Sequence, residues 1–213
     1  MNGIGFLFDL DGVLIDSETE YTRIWNEIEN KFPTGKKDFA LSIKGQTLNK
    51  ILNDNYPEEI RKEVSKLLHD LEHDMQYCFC QGAEQFLKDL NDGNHKIAVV
   101  TSSDETKMNH LYADIPNFKN YVDIIVDSSK VTKSKPHPEG YLLGAELLGV
   151  NPKKCVVFED SLQGVRAGKE AGAYVLGIIG TKTREELLPF SDFVVDNLEE
   201  INLDNLISIL QKR

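Results

Sequence analysis

The chain has 213 residues, 40% of them hydrophobic and 28% charged, which suits one large or two modest globular domains with a substantial core. The formal net charge of −11 argues against nucleic acid or an anionic membrane as the main partner, since both require clustered Lys and Arg. No stretch approaches the roughly 20 apolar residues of a membrane span. The first residues lack a basic segment ahead of an apolar core, and Cys78, Cys80 and Cys155 show no CxxC spacing. The default expectation is therefore a reduced, cytoplasmic monomer.

A strand is expected over residues 4–9, where an apolar run leads straight into Asp9, with Asp11 two positions later and Gly12 behind it. Residues 16–80 hold little β-like material. Helical spacing at Ile24 and Ile28, and again at Val64, Leu67, Leu68 and Leu71, marks them as an inserted helical domain. From residue 83 onward, short apolar runs at 96–101, 122–126, 155–158, 173–178 and 192–195 alternate with helical patterns at 83–91, 104–112, 137–149, 161–171 and 198–211. Continuously apolar strands separated by helices indicate a parallel sheet buried on both faces, hence an α/β fold. The expected division is a core of residues 1–15 plus 81–213 and a helical insertion of residues 16–80. An insertion leaving just after the first strand belongs at the carboxyl edge of the sheet, where open α/β sheets bind ligands.

Four places carry chemistry. Asp9 and Asp11 are like charges held close at a strand end, and such a pair needs a cation or a shared proton; Mg²⁺, a hard ion that takes oxygen ligands, is the natural relief. Glu159 and Asp160 end another buried strand in the same way, ahead of a helix that Ser161 can cap. Thr101, Ser102 and Ser103 close the run at 96–101, and hydroxyls with free backbone N–H groups at a helix start suit a phosphate. Lys133 and Lys135 lie in a proline-stiffened segment, where a fixed cation could neutralise phosphate charge. Taken singly, each has an ordinary structural explanation: turn, cap or solvated side chain.

Their order along the chain (strand with Asp-x-Asp, strand with Thr/Ser, Lys-Pro, strand with Glu-Asp) resembles the haloacid dehalogenase superfamily of phosphotransferases. "FDLDGVLIDSE" and "FEDSLQGVRAGKEAGA" are similar to its β-phosphoglucomutase-like branch. The resemblance implies a Rossmann-like core with a helical cap, and a Mg²⁺-dependent phosphatase acting on a small phosphorylated metabolite such as a sugar phosphate. It implies Asp9 as the nucleophile that forms an aspartyl-phosphate and Asp11 as the acid and base. Asp9, Asp11, Glu159 and Asp160 would be the metal residues, Asp11 through its backbone carbonyl, and Thr101, Ser102 and Lys135 the phosphate-binding ones. Tyr21, Trp25, Gln46 and Thr47 are then the candidate substrate contacts in the cap. A phosphosugar mutase is the alternative, although Tyr21 and Leu48 stand where the mutases carry a cap His and Arg. A non-catalytic phospho-acceptor module is the alternative from another class; it has no need of a second acid at plus two or of a cap.

Overall fold

The structure is a computed structural model and describes residues 3–43, 48–72 and 74–212, with the backbone alone at residue 49. Its contacts divide the chain into two compact units, residues 1–16 with 77–213, and residues 17–76. In chain order, β1 (Gly5–Phe8) is followed by α1 (Ser17–Lys31), α2 (Phe39–Ser42), α3 (Leu48–Asn55) and α4 (Glu58–Glu72), which make up the second unit. The rest returns to the first unit: α5 (Ala83–Asp92), β2 (Lys96–Val100), α6 (Glu105–Asp114), β3 (Ile124–Val126), α7 (Glu139–Leu147), β4 (Cys155–Glu159), α8 (Leu162–Glu170), β5 (Tyr174–Ile178), α9 (Arg184–Leu187), β6 (Phe193–Val195) and α10 (Leu203–Gln211).

Among the described residues, six strands form one sheet in the order β3-β2-β1-β4-β5-β6, every pair parallel. The strands are apolar on both faces because both faces are covered. On one face Leu7, Ala98, Val100 and Val157 pack with Tyr141 and Ala145 of α7 and Val165 of α8. On the other, Phe8 stacks on Phe158 at 4.3 Å between ring centroids, and Phe86 of α5 meets both rings edge-on. The α/β class and the parallel sheet are as the alternating runs predict.

The helical unit has a core of its own. Ile24, Trp25 and Ile28 of α1, spaced as one helix face, are buried, as are Phe39, Val64 and Leu68. Trp25 and Tyr56 each meet Phe39 edge-to-face at 6.0 Å. Where the chain leaves and re-enters the first unit, its two passages run side by side. The Asp16 N–H donates to the Cys78 carbonyl and the Cys80 N–H to the Leu14 carbonyl, both at 2.9 Å, around an antiparallel bridge between Ile15 and Phe79. No helix among the described residues is long and apolar enough to cross a membrane.

Candidate active site

The register of the three central strands gathers the chemistry. Phe8 of β1 lies opposite Val99 of β2 and Phe158 of β4. The next residues, Asp9, Val100 with Thr101, and Glu159 with Asp160, therefore emerge together at the carboxyl edge. The Asp9 N–H continues the ladder to the Phe158 carbonyl at 2.9 Å, which fixes where its side chain starts. Asp9, Asp11, Thr101, Ser102, Lys135 and Asp160 line one open cavity of about 470 Å³, completed by Ser134, Ser161, Gln163 and Thr181.

Lys135 is the hub. Its ammonium donates to Asp9 Oδ1 at 2.6 Å, to Glu159 Oε1 at 2.6 Å and to the Val100 carbonyl at 3.1 Å, which uses all three of its protons. Burial works against this charge, but the carboxylates of Asp9 and Glu159 outweigh it and hold the Lys135 pKa above the ordinary lysine value. For Asp9 the balance goes the other way. Burial, with the charges of Glu159 and Asp160, raises its carboxyl well above the usual carboxylate range, and Lys135 only partly offsets them.

Glu159 lies beneath the cavity with no exposed surface. Its Oε1 also accepts the Tyr141 hydroxyl at 2.6 Å, and its Oε2 accepts the N–H and hydroxyl of Ser161 at 3.3 and 3.0 Å. Gly164 in the first turn of α8 makes room for this carboxylate, since a Cβ there would overlap it. Burial and the Glu159 charge push the Tyr141 phenol well above its usual pKa, so it remains a donor. Asp160, also buried, accepts from the N–H of Thr181 at 3.1 Å and from its hydroxyl. Gly12, at φ +73°, passes so close that a Cβ would strike the Asp160 carboxylate.

Asp11 points elsewhere. Its Oδ1 pairs with Lys107 at 2.5 Å and its Oδ2 accepts from Ser103 at 3.1 Å. Ser102 is exposed, whereas Thr101 is buried and its hydroxyl oxygen accepts the Ser103 N–H at 3.0 Å. Tyr21 and Trp25 belong to the helical unit. There the Tyr21 hydroxyl donates to Glu72 at 3.1 Å, and both residues help line a cavity of about 310 Å³ with Glu18 and Ile43. Gln46 and Thr47 lie outside the described residues.

Carboxylate oxygens of Asp9, Glu159 and Asp160 lie within 4.8 Å of one another, the group among the described residues best able to hold a metal ion. The donor set is all oxygen, and Lys135 is the cation beside it. Three acids against one lysine leave an excess of negative charge that a hard divalent ion fits. Thr181, Lys107 and Tyr141 are contributors that a reading of strand ends does not reach. Lys107 did carry a signal: a cation in the first turn of a helix opposes the dipole, so it wants a partner from outside.

The profile of the haloacid dehalogenase-like hydrolase family matches residues 5–172. Hexitol phosphatase A of Escherichia coli is 31% identical over 206 residues, covering 93% of each chain. A β-phosphoglucomutase of Mycobacterium bovis is 28% identical, covering 92% of this chain and 90% of its own. Among solved structures, a HAD family hydrolase of Deinococcus radiodurans with bound phosphate and sodium superimposes with a TM-score of 0.83 at 24% identity, covering 98% of this chain and 97% of its own. With the strand-end acids, the lysine between them and this whole-length similarity together, the chain belongs to the haloacid dehalogenase-like hydrolase family and stands among its phosphatases.

Proposed function

We propose that the chain hydrolyses the phosphomonoester of a small metabolite, a sugar or polyol phosphate, through an aspartyl-phosphate on Asp9. The observation that carries this reading is the Asp9 carboxylate at the mouth of the central strand, 2.6 Å from Lys135 and clustered with Asp160. Asp9 Oδ attacks phosphorus and the bond to the alcohol oxygen breaks, while Asp11 gives that oxygen its proton. Asp11 then takes a proton from a water whose oxygen attacks phosphorus. The bond to Asp9 breaks, releasing inorganic phosphate and restoring the carboxylate. Lys135 faces the phosphoryl oxygens with a charge fixed by its own hydrogen bonds, Ser102 offers them a hydroxyl and Thr101 closes the same loop.

The Asp9 and Asp160 carboxylates and the Asp11 carbonyl would hold Mg²⁺, with Glu159 adding charge from behind. When bound, the ion neutralises phosphoryl charge and relieves the acids of their mutual repulsion. The helical unit, joined to β1 only a few residues past Asp11, is read as a cap that selects the alcohol half of the substrate. With the chain in a hydrolase family, the phospho-acceptor alternative falls. The similarity to a β-phosphoglucomutase supports the mutase alternative. Against it, the helical unit presents a Tyr21–Glu72 pair, not a cation, where a mutase carries its cap His.

Asp9→Asn tests the mechanism. Turnover of a hexitol phosphate and of 4-nitrophenyl phosphate should fall about 10⁴-fold or more, as for loss of other catalytic nucleophiles. Retained turnover would refute the aspartyl-phosphate. Glucose 1-phosphate in the same assays separates the two chemistries: free phosphate marks a phosphatase, glucose 6-phosphate a mutase.

A further inference from the structure

The acid–base residue of this reading stands beyond the end of its strand. Asp11 sits three residues past the end of β1, and the next residue, Gly12, is in the left-handed region. The Asp11 carboxylate takes its side-chain hydrogen bonds from residues beyond β2. What fixes it comes from the far side of the sheet edge, 92 and 96 residues along the chain. Ser103 holds one carboxylate oxygen and Lys107 the other.

Both donors are themselves rigidly mounted. The Ser103 N–H is tied to the Thr101 hydroxyl, and Asp104 caps α6 by accepting the Lys107 N–H at 2.9 Å. The Lys107 ammonium lies 5.8 Å from the centre of the Tyr77 ring, and the Tyr77 backbone N–H donates to Asp114 further along α6 at 2.8 Å. Side-chain exposure is 21% for Lys107 and 33% for Asp11, so the pair is shielded more than an open surface pair. The position of Lys107 is otherwise unfavourable, because the first turn of a helix repels a cation. A cation there is a local cost that the pair with Asp11 offsets.

We propose that Lys107, with Ser103, is a positioning residue for the phosphatase reaction: it sets the direction of the Asp11 carboxylate, and thereby proton transfer to the departing alcohol. The inference rests on the assignment of Asp11 as acid and base. Lys107 touches neither phosphorus nor the leaving oxygen; it acts through Asp11. The two bonds also explain why the Asp11 carboxylate stands apart from the cluster of Asp9, Glu159 and Asp160: it is turned towards the loop after β2.

Leaving-group dependence reads this role. An alkyl phosphate needs its oxygen protonated as the P–O bond breaks, whereas 2,4-dinitrophenolate departs without a proton. In Lys107→Met, kcat/KM for a hexitol phosphate should fall about tenfold or more relative to kcat/KM for 2,4-dinitrophenyl phosphate, with Lys107→Arg restoring most of the ratio. Using kcat/KM confines the comparison to the first chemical step, since hydrolysis of the aspartyl-phosphate comes later. An equal fall for both substrates would make Lys107 merely structural, and no fall for either would remove it from the reaction; either overturns the proposal. Should Lys107→Met fail to fold, Ser103→Ala carries the same comparison with a smaller expected change. Failure of the mechanism itself looks different: Asp9→Asn then stays active, whatever Lys107 does.

Discussion

Glu159 is a carboxylate without solvent, and four donors make that tolerable: Lys135, the Tyr141 hydroxyl, and the N–H and hydroxyl of Ser161. Removing one leaves charge in a dry place less compensated. Tyr141→Phe keeps the ring under Lys135 and deletes only the hydroxyl, so it should cost about 1–2 kcal/mol of stability, measured by urea unfolding. Turnover should drop as well, because Lys135 then serves a less balanced partner. At this scale the positions of Asp9, Thr101, Lys135 and Asp160 were legible, because each follows an apolar run or, for Lys135, directly precedes a proline. Partners were not. Lys107 reaches Asp11 across 96 residues, and Thr181 reaches Asp160 across 21, with no local pattern to mark either pairing.

Among the elements, the turn after β1 is the most constrained. Gly12 combines φ +73° with a carboxylate where a Cβ would go. Gly12→Ala should therefore lose roughly 1–3 kcal/mol and displace Asp160, giving a lower melting temperature and weaker hydrolysis of 4-nitrophenyl phosphate. The strands were readable from their unbroken apolar runs, and most helices from their spacing. Two details were not. The pattern over 198–211 suggested a single helix, yet only a short 3₁₀ turn (Leu198–Glu200) and α10 form, because the Asn202 side chain accepts the Asn205 N–H and starts a new helix. β3 begins at Ile124, not 122, since the Asp123 carboxylate accepts the Ile97 N–H at 2.9 Å where a longer ladder would run. Both are local competitions between a short polar side chain and the backbone, invisible to hydrophobic periodicity.

For the whole molecule, charge is the dominant fact. The chain carries a net −11, and its sheet edge concentrates three of those acids around one lysine. A cation that binds this folded cluster and not the unfolded chain must stabilise the fold, by about 2.7 kcal/mol at a hundredfold excess over its dissociation constant. Millimolar Mg²⁺ should thus raise the melting temperature by several degrees in scanning calorimetry. Asp160→Asn should abolish most of that rise. An identical rise in the variant would place the ion elsewhere. The architecture was visible in the order of elements. The strand order was not: a run of apolar segments says that they pair, while only the register puts β1 between β2 and β4.

The paired passages at Leu14–Asp16 and Cys78–Cys80 have a consequence for engineering. Because the two ends of the helical segment are clasped to each other, whatever lies between them is topologically a single long loop of the sheet domain. A graft of the corresponding segment from hexitol phosphatase A, joined at Asp16 and Tyr77, would leave every strand in register. If the helical unit selects the substrate as proposed, such chimeras exchange selectivity and keep the chemistry of the sheet domain.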